Sequence, residues 1–266
     1  MTFQDHFSDV AAKYAAYRPH YPAALVDLLA DRCARTDVAW DIGAGTGQLS
    51  VDLARRFARV IAQEPAAALV AKATRHPLVE YSVAPAEASG LPDASVDLAV
   101  AAQAAHWFDW PRAVAEIGRV VRPGGLVALV SYGIVIVEGA AGDVLADWYW
   151  NVAGPHWPPG RQHVENGYRD LSWPWPTVEA PALEQGPALP GRAASPKGDA
   201  QLSMTARWTR EELIGYVTSW SATAVLVKEQ GIGPVTALDA ALARTWPDGE
   251  PREIRWPLTA KLARRT

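Results

Sequence analysis

The stretch "VAWDIGAGTGQLS" at residues 38–50 restricts the fold more than any other part of the chain. A short apolar run ends in Gly43, Gly45 and Gly47, and apolar residues then recur at helical spacing as Leu49, Leu53 and Phe57. A strand that passes into a helix through three glycines is a βα unit. Glycine lets the backbone turn sharply and lets a ligand approach it closely, and the helix behind opens with unpaired N–H groups. A dinucleotide loop would read G-x-G-x-x-G. Here the third glycine comes one residue early and Gln48 holds its place. Asp41, just ahead of the loop, would oppose a pyrophosphate and suit a cation.

The alternation continues along the chain. "RVIAQE", "LVEYSVA", "SVDLAVAA" and "LVALVSYG" read as strands two to five, while "PAAALVAKAT" and "WPRAVAEIGRVV" read as helices, the second ended by "RPGG". Two helices, "HFSDVAAKYAAY" and "YPAALVDLLADRCA", precede the first strand. The expected fold is therefore α/β: a Rossmann-like doubly wound sheet of about seven mostly parallel strands, with ligands at the carboxyl ends of the strands. After the fifth strand the pattern breaks into a stretch rich in Pro, Gly and Trp. Trp148, Trp150, Trp157, Trp173 and Trp175 are bunched there, and large rings need burial, which argues against disorder. An inserted, partly helical cap over the sheet's carboxyl edge is expected. "WTREELIGYVTSWSA" then reads as a helix opened by a Thr209–Glu212 capping box, and "REIRWPLTAKLAR" as a closing strand. The 266 residues make one domain: N-terminal helices or lid at 1–36, core at 37–132, cap at 133–204, C-terminal helix and closing strands at 205–266.

Composition excludes several function classes. A net charge of −4 leaves no general electrostatic footprint for nucleic acid. Cys33 is the only cysteine, so no internal disulfide forms and nothing implies an oxidising compartment. "MTFQDHFSDV" is not a basic leader, and the longest apolar run, "LVALVSYGIVIV", is interrupted and short of a membrane span. The expectation is a cytoplasmic monomer or homodimer with a small-molecule substrate and no nucleic-acid or membrane partner. His156 and His163 lack companions at ligand spacing, so no metal is expected.

Three further motifs lie at strand ends. Glu64 closes the second strand about twenty residues past the glycines, where a carboxylate accepts hydrogen bonds from a ribose diol. Pro65 and Ala66 follow it, without the hydroxyl that would cap the next helix. "VAPAEASGLPD" carries Ala86 and Glu87 after the third strand. "AAQAAHWFDW" shifts from small residues to Gln103, His106, Trp107 and Phe108 as the fourth strand leaves the sheet.

The D-x-G-x-G-x-G loop resembles the S-adenosylmethionine (SAM) loop of class I methyltransferases. With "YAAYRPHYP", "AHWFDW", "WPPGRQHVENGYRDL", "TSWSA" and "RWPL", nearly the whole chain resembles the trans-aconitate methyltransferase-like subgroup and its bacterial relatives, which carry a type 11 methyltransferase domain. The resemblance implies SAM as cofactor, S-adenosylhomocysteine as product and no metal. It implies cofactor contacts at Asp41, Gly43, Ala44, Gly45, Gly47, Gln48, Glu64, Pro65, Ala86, Glu87 and Gln103, with Tyr14, Tyr17 and Arg18 folding over as a lid. It implies substrate contacts at Tyr21, Trp107, Arg161, Tyr168 and Trp220. Pro85 departs from the subgroup, which often has Asp there beside the adenine.

Where activity is known, that subgroup methylates small acids at a carboxylate. Such a nucleophile is already anionic at pH 7 and needs clamps rather than a base. Arg18, Arg161, Arg169 and Arg207 are candidates. A hydroxyl, thiol or ring-nitrogen acceptor is often neutral, and a base then helps. His106, with Gln103 nearby, is placed for that work, while Asp109 is expected to cap the helix opening at Trp110. The leading expectation is carboxyl O-methylation of an organic acid. The alternatives are N-, O- or S-methylation with His106 as general base, and a non-catalytic SAM-binding regulator.

Overall fold

The computed structural model describes residues 20–179 and 203–266. The first expected helix, with Tyr14, Tyr17 and Arg18, lies outside them, as do residues 180–202 of the expected cap. The described chain runs α1 (Ala23–Asp31), β1 (Val38–Ile42), α2 (Gln48–Leu53), β2 (Arg59–Gln63), α3 (Ala67–Ala71), β3 (Val79–Ser82), β4 (Val96–Ala102), α4 (Trp110–Val120) and β5 (Val121–Tyr132). It continues through β6 (Ile136–Val137), α5 (Ala140–Asp147), α6 (Arg161–Glu165), β7 (Thr177–Val178), β8 (Ser203–Trp208), α7 (Arg210–Thr218), α8 (Ser221–Gln230), α9 (Gly233–Ala243) and β9 (Arg252–Arg264).

Seven strands lie on one path, in the order β3-β2-β1-β4-β5-β9-β6, and β7 and β8 also pair with β9. The five strands from β3 to β5 pair in parallel; β9 runs antiparallel to all its neighbours. Helices cover both faces of the parallel part, so β1, β2 and β4 carry runs of buried residues rather than alternation, while the edge strand β3 is largely exposed. Residues 96–101 of β4 are buried without exception. Ile42 pairs with Gln63, and Asp41 pairs with Val100, so β1, β2 and β4 end nearly flush. The loops behind these three strands therefore leave from one edge. That places the glycine loop, Glu64 and the Gln103–Phe108 stretch side by side.

The start of β5 and the elements β8, α8 and α9 differ from the sequence expectation. "RPGG" ends α4 at Val120 as expected but is then taken into the irregular start of β5, where pairing with β4 skips from Val96–Val121 to Leu98–Leu126. Strand β8 and helices α8 and α9 carry no period clear enough to be read beforehand. Their apolar residues bury against one another, as with Leu226, Leu238 and Leu242.

Beyond β5, α5 continues into a π-helical turn, Trp148–Ala153, and a 3₁₀ turn, Gly154–His156, ahead of α6. Of the tryptophans bunched in the sequence, Trp148 and Trp175 are buried and Trp150, Trp157 and Trp173 are half-buried. Tyr149 meets Trp220 edge-on at 5.5 Å, Trp157 lies 5.7 Å from Trp220, and Tyr216 stands perpendicular to Trp220. One aromatic core thus joins the segment after β5 to helices α7 and α8. Helix α7 begins at the Thr209–Glu212 capping box that its sequence predicts.

Candidate active site

Gly43, Gly45 and Gly47 all have positive φ, at 72°, 58° and 84°. That region favours glycine. Space also excludes side chains at two of them. A Cβ on Gly43 would lie 2.6 Å from the Ala104 Cβ, and one on Gly47 would fall on the Tyr81 hydroxyl. The loop is fastened to β2 by Gly43 and Ala44 N–H bonds to the Gln63 carbonyl, at 2.8 and 3.0 Å.

Two buried carboxylates flank the loop. Glu64 accepts the Gly45 N–H through Oε2 and the Ala66 N–H through Oε1, both at 3.0 Å. Ala66 is the N-cap of α3 and makes no side-chain cap, so Glu64 fixes its backbone but leaves the first turn of α3 without a cap. Asp41 accepts the Ser50 hydroxyl at 2.6 Å. Burial pushes the Asp41 carboxyl up to about 7, with the Glu64 charge adding and the Ser50 hydrogen bond opposing. Two acidic side chains beside a backbone cradle suit a ligand that brings positive charge and hydroxyl donors.

Next to this lies an open cleft containing about 640 Å³ of space, part of it shared with solvent. One wall is the end of β4, through Gln103, His106 and Trp107, and another is the chain behind β5, from Tyr132 to Val135. Tyr149, Trp157 and Arg161 close it from above, and Tyr216 and Trp220 from the side of α7 and α8. The Arg161 guanidinium lies 4.3 Å above the Trp157 ring and donates through Nε to the Tyr149 hydroxyl at 3.0 Å. Tyr149 in turn donates to Glu165 at 3.0 Å, and burial raises its phenol. Gln103 has φ of 54°, and its Nε2 donates to the Tyr132 carbonyl at 3.0 Å. This fixes the amide orientation, because a carbonyl can only accept. The His106 Nδ1 lies 3.0 Å from the hydroxyl of the fully buried Tyr168.

The methyltransferase-domain family matches residues 40–129. A Dictyostelium discoideum protein named as a methyltransferase is 31% identical over 230 residues, 85% of this chain and 80% of that one. This chain belongs to the methyltransferase family. A solved structure from Anaeromyxobacter dehalogenans, described as a type II methyltransferase, is 39% identical with a TM-score of 0.81, covering 94% of this chain and 98% of that chain. A Mycobacterium tuberculosis protein named as a methyltransferase is 39% identical over 126 residues, and the match spans about half of each chain, 47% and 51%. The protein is a SAM-dependent methyltransferase with the mixed α/β fold of that class.

Within this methyltransferase, Asp41, the glycine loop with Ala44 and Gln48, Glu64, Pro65 and Gln103 come together at the flush strand ends. Ala86 is buried beside them in the β4 face of the core. Glu87 accepts the Asp109 N–H at 2.7 Å, so it ties the loop behind β3 to the start of α4. Asp109 itself makes no side-chain cap there, a correction to its expected role. Trp107, Arg161 and Trp220 line the cleft. Tyr168 does not line it; the hydroxyl sits behind His106 instead. The Tyr21 ring lies 6.4 Å from that of Tyr132, one ring removed from the cleft wall. Arg169 and Arg207 are exposed and absent from the lining, and Arg207 reaches the Pro251 carbonyl. Tyr149, Trp157 and Tyr216 are cleft residues that the sequence reading did not single out. The density of rings at 148–157 was the available signal for the first two. Among the described residues, no group of three or more His, Cys, Asp or Glu side chains could hold a metal ion, and no helix is long and apolar enough to cross a membrane.

Proposed function

We propose that this methyltransferase methylates a carboxylate of a small organic acid, as the trans-aconitate methyltransferase-like subgroup does where its activity is known. One observation carries the reading: Arg161 is held by Tyr149, Trp157 and Glu165 as part of the wall of a cleft rich in aromatic rings. Its two Nη groups donate to no described residue. A guanidinium so placed grips a planar carboxylate through paired N–H donors. The rings of Trp157, Trp220 and Tyr216 suit an acid with an apolar body.

The residues at the glycine loop fit the cofactor. The backbone cradle admits no side chain at Gly43 or Gly47, Asp41 offers an anion to a cationic group, and Glu64 offers acceptors to a ribose diol. Gln48 opens α2 against the loop, Pro65 follows the diol ligand, and Ala86 with Glu87 borders the adenine side. Bound SAM supplies an electrophilic methyl on a sulfonium. The chain's own task is positional: it aligns an acceptor oxygen with the bond that breaks and excludes water. Arg161 holds the carboxylate, Gln103 borders both sites, and Trp107 forms a wall. The test is incubation with SAM and a panel of carboxylic acids, read by mass spectrometry. A methyl ester from at least one apolar acid is expected; no ester from any acid overturns the reading.

A further inference from the structure

We infer that Tyr168 holds His106 with its hydrogen on Nε2, which makes His106 a hydrogen-bond donor to the methyl acceptor and not the base that deprotonates it. This deepens the carboxylate reading and rests on it for the identity of the acceptor. The inference begins with a buried hydroxyl. Tyr168 has no exposed surface, so its O–H must find an acceptor within the protein. The His106 Nδ1 lies 3.0 Å away. The backbone N–H groups of His106 and Ala105 face the phenol oxygen and oppose the rise of its pKa, which places them on its acceptor side. The phenol hydrogen then points to Nδ1, which must accept. A neutral imidazole that accepts at Nδ1 carries its hydrogen at Nε2. Desolvation raises the Tyr168 phenol, so the hydroxyl keeps its hydrogen.

Backbone conformation supplies an independent observation. Tyr168 sits at φ of 58°, directly behind Gly167 at 62°. A bulky residue in that region is strained and persists where its surroundings dictate it. Gly167 admits no Cβ without approaching the Thr259 hydroxyl to 2.9 Å, so the turn is pressed against β9. The turn is also closed by the Tyr168 N–H bond to the His163 carbonyl at 2.7 Å. Gly160, on the other side of α6, is pressed onto the His106 carbonyl, where a Cβ would lie 2.6 Å away. The α6 segment thus holds His106 from two sides, by its backbone and by its ring. Such a fixture suits a group that must present one nitrogen in one state. An Nε2–H donor serves an acceptor that is already anionic, such as a carboxylate. It cannot take a proton from a neutral hydroxyl, thiol or amine.

The test uses the intact protein labelled with ¹⁵N-histidine, without substrate. Long-range ¹H–¹⁵N correlation distinguishes the two tautomers directly, and His106→Asn assigns the His106 signals by their disappearance. The expected spectrum shows the hydrogen on Nε2 and a bare Nδ1. Tyr168→Phe, which loses only the hydroxyl, should turn this single state into a mixture. Hydrogen on Nδ1 in the native protein overturns the proposal even if Tyr168→Phe fails to fold. An unchanged His106 spectrum in a folded Tyr168→Phe protein overturns it too. Failure of the carboxylate reading shows elsewhere, as absence of ester from the acid panel with the tautomer as expected.

Discussion

The glycine loop and the aromatic cleft sit side by side but are built in opposite ways. The loop is continuous in sequence. Residues 41–50 supply the cradle, the helix start and one carboxylate, and the end of β2, through the Gln63 carbonyl and Glu64, fastens it. The cleft is assembled from β4, β5, the segment around α6, and helices α7 and α8, which are spread over more than a hundred residues. The loop's constraints are local and steric: positive φ at all three glycines, with close approach at Gly43 and Gly47. The cleft's constraints are distributed over rings and hydrogen bonds, any one of which can be altered without closing the site. Under the proposed function this division serves a fixed cofactor beside a variable acceptor: the rigid half would hold one ligand while the other half sets specificity.

The comparison breaks first, and hardest, at the loop. Gly43→Ala brings a Cβ to 2.6 Å from Ala104 in a backbone region that costs other residues about 1–3 kcal/mol. SAM affinity should fall by roughly 100-fold or more, equivalent to about 3 kcal/mol, with a lower melting temperature. Calorimetric titration with SAM checks this; affinity within a few-fold of native would mean that the loop is not the cradle. Arg161→Met is the matching change in the cleft. Removing one partner from a desolvated charge pair costs about 2–5 kcal/mol, so kcat/KM for the acid should drop by about 30-fold or more while SAM affinity holds. An equal loss of SAM binding would show that the two halves are not separable.

The same difference explains what the sequence could reveal. The parallel core, the closing strand β9 and the capping box at Thr209 were legible, because each is written in adjacent residues as a period or a cap. The ring-rich segment could be expected to bury, but not which rings would meet: Trp157 and Trp220 are far apart in the chain and only the folded helices bring them to 5.7 Å. His106 could be placed at the sheet edge from its strand alone. Its partner could not, since Tyr168 arrives from a turn whose positive φ no local residue pattern announces. Asp109 shows the opposite error. It stands at the N-cap position but makes no side-chain cap, and its own N–H is bonded by Glu87 from the neighbouring loop.

Protonation of Asp41 sharpens the comparison more gently. Its carboxyl is raised to about 7 by burial, above the ordinary value of roughly 4. The folded protein therefore favours the neutral form. The stability this contributes is present below the unfolded pKa and lost as pH rises through about 7. Binding of a cationic ligand runs the other way, because only ionised Asp41 attracts it. SAM affinity should rise by about an order of magnitude from about pH 6 to about pH 7.5, and Asp41→Asn should bind weakly with a flat profile. Acid affinity at the cleft should not follow this curve. A flat native profile for SAM would place the cation elsewhere.

The smallest expected change tests how Arg161 is held. Trp157 supports the guanidinium at 4.3 Å, and its indole N–H is buried with no hydrogen-bond partner among the described residues. Trp157→Phe keeps an aromatic face under the charge but a weaker one, so about 0.5–1 kcal/mol of the contact should go. That corresponds to roughly a two- to fivefold rise in KM for the acid. The same substitution removes a buried donor that has nothing to bond, which offsets part of the lost ring area. Stability should therefore change little while KM moves, a split that thermal unfolding and steady-state kinetics read separately. A loss of tenfold or more would give the indole N–H a different role, as a direct donor to the acid. A loss of SAM affinity would tie the ring to the glycine loop and dissolve the division between the two halves.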